Sequence, residues 1–288
     1  MGGGRNFTLS ETRAPFPCAI EQVRPFFSSV ESWPVWLIGS LGSLAAGLAT
    51  GLGALPILAR AEWSAAARAL MLALAAGVML GATVFSLLLP SIEIAQAASG
   101  SEVRAVAVAS GGLLLGALAI WGLNTVIPHE HFVKGREGID EPAIGRTWLF
   151  VMAITLHNFP EGMSVGVAYG AGTSTGLAVT AGMALQNLPE GLAVAAALMT
   201  TGVTRGRAFV IALLTGLVEP IGGLFGALAV SVVEALLPWA LAFSAGAMLF
   251  VISGEVIPET HRAGLEKRAT FSLVVGFVVM MALDVLLA

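Results

Sequence analysis

Three stretches of this chain set carboxylates, amides and an imidazole into otherwise apolar sequence: Leu156-His157-Asn158-Phe159-Pro160-Glu161-Gly162, Leu185-Gln186-Asn187-Leu188-Pro189-Glu190-Gly191 and Val218-Glu219-Pro220. On a helix, residues three and four apart share a face. His157 and Asn158 therefore fall beside Glu161, and Gln186 and Asn187 beside Glu190. No Lys or Arg lies within the three apolar runs that carry these residues. An ionised side chain near a bilayer centre costs at least about 2.5–3.5 kcal/mol, so bound cations or protons are left to compensate the carboxylates. Imidazole nitrogen with carboxylate and amide oxygen suits borderline divalent ions such as zinc, iron, manganese or cadmium. The thioether of Met79 could add a soft ligand, or simply pack. The structural alternative for both Pro-Glu-Gly segments is an interhelical hydrogen-bond network that only fixes packing. Hydrogen bonds alone, however, leave the carboxylate charges unpaired.

The elements that must hold these residues follow from composition. Hydrophobic residues make up 57% of the 288 and charged ones only 11%, with a mean hydropathy of +0.88. A soluble domain carries about a quarter charged residues, so the solvent for most of this surface must be lipid. The 35 glycines fit helices packed closely where lipid supplies no hydrophobic drive. Runs long enough to span a bilayer occur at about 36–59, 70–92, 105–128, 147–171, 176–200, 208–233, 235–253 and 269–288. The expectation is an all-α integral membrane protein of about eight transmembrane helices. Residues 1–34 read as a polar, flexible tail, without the pattern of a signal peptide, and 35–288 as one transmembrane domain.

Arg60, Arg68, Lys134, Arg136, Arg146, Arg205, Arg207, Arg262, Lys267 and Arg268 all follow odd-numbered spans, whereas Arg104 alone follows an even one. Positive residues stay cytoplasmic, which puts both termini outside. The net charge of −4 and the lack of a basic face exclude nucleic acid as a partner. The lone Cys18 excludes a disulfide framework or a Cys-rich metal site. Pro160 and Pro189 each remove an N–H and press on the carbonyl four residues earlier, which predicts kinks that free carbonyl oxygens toward a cavity. Paired, Pro-interrupted spans point to a transporter's midplane site.

The paired segments, with Val218-Glu219-Pro220-Ile221-Gly222-Gly223 and Glu255-Val256-Ile257-Pro258-Glu259-Thr260-His261-Arg262, resemble the ZIP family of divalent metal-ion transporters, in particular its bacterial GufA-type branch. The similarity runs from about Trp36 to the end of the chain. It implies an inverted-repeat bundle, a homodimer in the bacterial inner membrane, and a binuclear metal centre between helices 4 and 5. It implies movement of zinc, and of iron, cadmium or manganese, toward the cytoplasm by rigid-body motion of one helix group against another. By resemblance, one site takes Met79, His157, Gln186, Glu161 and Glu190, and its neighbour takes Asn158, Asn187, Glu161, Glu190 and Glu219. Relatives can carry Asp at the position of Asn187; the missing charge should weaken the second site, leaving the His157 site as the transport site.

Secondary candidates are His129, Glu130 and His131 in the long cytoplasmic loop and Glu93 at an outer helix end. Glu255, Glu259 and His261 are read as a cluster at the cytoplasmic end of span seven, and Asp284 as meeting water. Two other functional classes remain open. An intramembrane zinc metalloenzyme would need a general base spared from ligation, and no His-Glu-x-x-His occurs. A metal-gated channel would need the same polar path.

Overall fold

The computed structural model describes residues 32–59, 64–127, 129–131, 135–137, 146–261 and 264–287. Cys18 and nearly all of the expected tail lie outside these residues. Within Pro34–Ala288, which forms one compact unit, the elements are helical except for one small ribbon. Helix α1 spans Val35–Ala54 and is followed by the single turn Pro56–Ala59. Helix α2, Ala65–Gly81, starts where the Ser64 hydroxyl accepts the Ala67 N–H at 3.1 Å, a side-chain cap. It runs through Ala82–Leu88 into α3, Leu89–Ser99. Gly100, at φ 64°, ends that rod in the left-handed conformation glycine tolerates. Then come α4, Glu102–Val126, and the antiparallel pair β1, His129–His131, and β2, Gly135–Glu137. After them come α5, Arg146–Ala171, α6, Thr173–Thr200, α7, Arg205–Gly216, and α8, Glu219–Val232. Helix α9, Leu237–Val251, continues through Ile252–Val256 into α10, Ile257–Thr260, and α11 spans Glu266–Leu287.

Six helical rods among the described residues are long and apolar enough to cross a membrane: Val35–Ala59, Ala65–Ser99, Glu102–Val126, Arg205–Val232, Leu237–Thr260 and Glu266–Leu286. The chain is a multi-pass membrane protein. The other two expected spans are α5 and α6, of 26 and 28 residues. At 1.5 Å per residue both are long enough, but their His, Asn, Gln and Glu residues lower the hydropathy. Helices α4 and α11 turn Leu114, Leu118 and Trp121, and Phe271, Val278 and Val285, outward, as helices solvated by lipid do.

Proline acts differently at different places. Helices α5 and α6 run on through Pro160 and Pro189. Ahead of Pro90 and Pro258 the helix widens to π-type turns, at Ala82–Leu88 and Ile252–Val256. Each of these prolines lacks an N–H and crowds the carbonyl four residues earlier, Ser86 and Gly254, and an i→i+5 turn relieves the crowding. Helices α7 and α8 are interrupted at Leu217 and Val218, just before Pro220.

The most extensive packing joins α1 with α6, α5 with α8, α2 with α11, and α4 with α9. Glycine permits each approach. A methyl at Gly191 would strike the Thr50 carbonyl, and one at Gly162 the Glu219 carbonyl. Gly53 meets the carbonyl of Leu188 and Gly222 that of Phe159, while Gly47 and Gly216 meet each other's. In the outer pairs Gly77 meets Leu273, Gly276 meets Leu74, Gly116 meets Phe243 and Gly246 meets Leu113, again at the carbonyl.

Candidate metal centre

Glu161 and Glu190 each precede one of the glycines that let a neighbouring backbone in. The short residue after Glu161 brings α8 against α5 at Glu219, the first residue of its helix. The residue after Glu190 brings α1 against α6 at Thr50. The site is thus built where α5, α6, α8 and α1 approach most closely, and it is deeply buried. Asn158, Glu161, Gln186, Asn187 and Glu219 are all buried, and His157 and Glu190 partly so.

A hydrogen-bonded chain runs across it. Gln186 Nε2 donates to Glu161 Oε2 at 2.6 Å and lies 2.5 Å from Asn187 Oδ1. Asn187 Nδ2 donates to Glu219 Oε1 at 2.7 Å and to the Ala46 carbonyl at 2.8 Å. Glu190 lies within electrostatic reach of His157, Glu161 and Glu219. Gln186 spends its N–H groups on a carboxylate and on the Asn187 oxygen, and Asn187 spends its own on a carboxylate and a carbonyl, so Gln186 Oε1 is the amide oxygen this chain leaves for a cation. Gln186 Oε1, Glu219 Oε2 and both side-chain polar atoms of Asn158 are buried without a hydrogen-bond partner. Buried polar atoms are nearly always paired, and orphans gathered at one site mark where a ligand belongs.

Among the described residues no three His, Cys, Asp or Glu side chains gather closely enough to form a ready-made metal cage. The amides of Gln186 and Asn187 are interposed between carboxylates, so a cation there would use amide oxygen as well as carboxylate. Met79 is buried on α2, where its carbonyl takes the Thr83 hydroxyl at 2.8 Å. No described hydrogen bond joins it to the chain just traced.

Two further residues adjoin this centre. Glu255, expected at a helix end with Glu259 and His261, is buried on the widened turns before Pro258, and its Oε2 pairs with His157 Nε2. Asn124, a single amide in the apolar α4, donates to Glu255 Oε1 at 2.8 Å. His261 instead bonds the Ile257 carbonyl and Thr260, and reaches Thr270 on α11, each at 3.0 Å. Asp284, expected to meet water, accepts the Ser86 hydroxyl at 2.5 Å. Glu93 is exposed. His129, Glu130 and His131 form β1; their side chains lie outside what is described.

A family model described as ZIP Zinc transporter matches residues 128–284. The zinc transporter GufA of Myxococcus xanthus is 48% identical over 85% of this chain and 97% of its own length. The zinc transporter ZIPB of Bordetella bronchiseptica is 46% identical over 85% of this chain and 79% of its own. The human zinc transporter ZIP11 is 33% identical over 74% of this chain and 86% of its own.

Proposed function

Because the chain belongs to the ZIP family of zinc transporters, we propose that it carries divalent transition-metal ions across the membrane through the polar centre between α5 and α6, with zinc as the first substrate. The observation that carries this reading is the chain Glu161–Gln186–Asn187–Glu219 with its orphaned oxygens in a region free of Lys and Arg. Buried carboxylates without basic partners need a cation, and His157 biases the choice toward borderline metals over magnesium or calcium. Iron, cadmium and manganese are secondary substrates. The relatives, all named as zinc transporters, favour transport over an intramembrane metalloenzyme.

In this reading all eight rods cross the bilayer, with both termini outside a bacterial inner membrane and the ion moving toward the cytoplasm. The ligands divide into two sites. Met79, His157, Gln186, Glu161 and Glu190 form the transport site. Asn158, Asn187 and Glu219 form the auxiliary one and share both glutamates, since a carboxylate has two oxygens. Family resemblance is the ground for a homodimer, and for rocking of one helix group against another as the mechanism.

The internal repeat has more specific support. If the first and second rods correspond to the sixth and seventh, the third to the eighth, and α5 to α6, each at a constant offset in sequence, the close glycine contacts map onto one another. Gly53 on Leu188 becomes Gly222 on Phe159, and Gly191 on Thr50 becomes Gly162 on Glu219. Gly77 on Leu273 becomes Gly246 on Leu113, and Gly276 on Leu74 becomes Gly116 on Phe243. The same offsets pair His157 with Gln186, Asn158 with Asn187, Glu161 with Glu190 and Met79 with Met248. Corresponding rods enter the membrane from opposite sides, as in an inverted repeat.

Zinc and cadmium uptake into proteoliposomes, native chain against Glu161→Ala, tests the reading. Saturable uptake that the substitution abolishes supports it. Tight binding without flux would overturn it in favour of a sensor or an enzyme.

A further inference from the structure

Three helices meet at the Glu255 carboxylate. Oε1 takes the Asn124 amide of α4 at 2.8 Å. Oε2 pairs with His157 Nε2 of α5. Glu255 itself lies on the widened turns that continue α9. The side chains of His157 and Glu255 are 16% and 4% exposed, and Asn124 is buried, so water competes little for these bonds. An imidazole nitrogen engaged with a carboxyl group has no lone pair left for a metal. Glu255 and a cargo ion therefore contend for the same atom.

A carboxylate on a flexible stem would contend poorly, because fixing a Glu side chain costs rotamer entropy. The Asn124 amide supplies the fixing bond. On the transport reading above, we infer that Asn124 is a positioning residue: by holding one oxygen of Glu255 it aims the other at His157, so that a proton from water takes the ion's place between Nε2 and Oε2, the bond to Glu255 closes, and release is faster. The internal correspondence adds a second observation. At the offsets that match the glycine contacts, Asn124 corresponds to Asp284 and Glu255 to Ser86, and these too are bonded to each other, at 2.5 Å. The same two pairs of helices are thus clasped at opposite depths. The clasps differ in where the carboxylate sits. At Ser86–Asp284 a hydroxyl takes the place that corresponds to Glu255, so of the two clasps it is the Asn124 one that offers His157 a rival partner. That asymmetry makes the Asn124 side the release side.

The test compares Asn124→Ala, Glu255→Ala and the double variant, each normalised to folded protein. Zinc affinity is measured in detergent and zinc uptake in proteoliposomes. Asn124→Ala should bind zinc several-fold more tightly and turn over several-fold more slowly, so that KM and kcat fall together. Glu255→Ala should do the same, and adding Asn124→Ala to it should change neither quantity further. In the metal-free protein, the His157 Nε2 resonance, assigned by its loss in His157→Gln, should shift in Asn124→Ala. An unchanged resonance, unchanged affinity and turnover with only a lower yield, or an Asn124→Ala effect undiminished without Glu255, would each overturn the inference. Native protein that binds zinc without carrying it would sink the transport reading instead, and the resonance would still decide the clasp.

Discussion

Gln186 Nε2 stands 2.6 Å from Glu161 Oε2, joining the two signature helices by an amide-to-carboxylate bond. The bond orients Glu161 but neutralises none of its charge, so the carboxylate still calls for a cation. Glu161→Gln keeps the shape and an acceptor oxygen while deleting the charge. The expected outcome is a metal-free protein at least as stable as the native one, with zinc uptake lost. A ligand at a hundred times its Kd stabilises the native state by about 2.7 kcal/mol, and thermal melts should show most of that zinc-dependent gain missing in the variant. A large drop in metal-free stability with an intact zinc response would mark Glu161 as structural.

Asn187 donates to both Glu219 and the Ala46 carbonyl. Asn187→Asp removes both donors and sets a carboxylate against Glu219. The metal-free protein should lose about 1–3 kcal/mol, the usual cost of stranding buried polar groups, and zinc should restore it. Isothermal titration should find one strong site in the native chain and a second, strengthened one in the variant. Two sites of matched affinity in the native protein would contradict the division into transport and auxiliary sites.

The polar centre was legible in sequence because His, Asn, Gln and Glu interrupt apolar runs, and helical spacing fixes which of them share a face. Glu255 escapes the same reasoning: charge ends an apolar run, so hydropathy closes span seven at 253. The rod in fact continues to Thr260 through π-type turns that bury Glu255. Those turns trace to Pro258, whose effect falls on residues before it, and the same holds for Pro90. Asn124 left no signal, since one amide in an apolar helix reads as interhelical glue. The close glycine contacts depend on which helices become neighbours, which hydropathy does not encode.

Gly162 tests how much the site depends on that closeness. A Cβ there would meet the Glu219 backbone, and neither helix can yield without moving a candidate ligand. Gly162→Ala should destabilise by about 1–3 kcal/mol, as overpacking does, and reduce uptake per folded molecule. Gly122 is the control, because its Cβ would meet open space. Gly122→Ala should be neutral or gain about 0.5–1 kcal/mol from lower unfolded-state entropy. Equal melting shifts for the two variants would remove close backbone approach as the reason for glycine at 162.

Among the described residues His157 brings the only imidazole into the centre, and that makes ion selectivity its most direct readout. Without it the proposed donors are carboxylate and amide oxygens with the Met79 thioether, a set in which oxygen predominates. Oxygen donors favour harder ions, and imidazole favours zinc over manganese. His157→Ala should therefore lower zinc uptake more than manganese uptake, shifting the ratio in competition assays with both ions present. The variant also frees Glu255 from its ring partner, so slower overall transport alone would not distinguish ligation from clasping. The zinc-to-manganese ratio does, because a purely structural link between helices carries no preference between the two ions. An unchanged ratio would place His157 outside the coordination sphere and leave the pairing with Glu255 as its whole role.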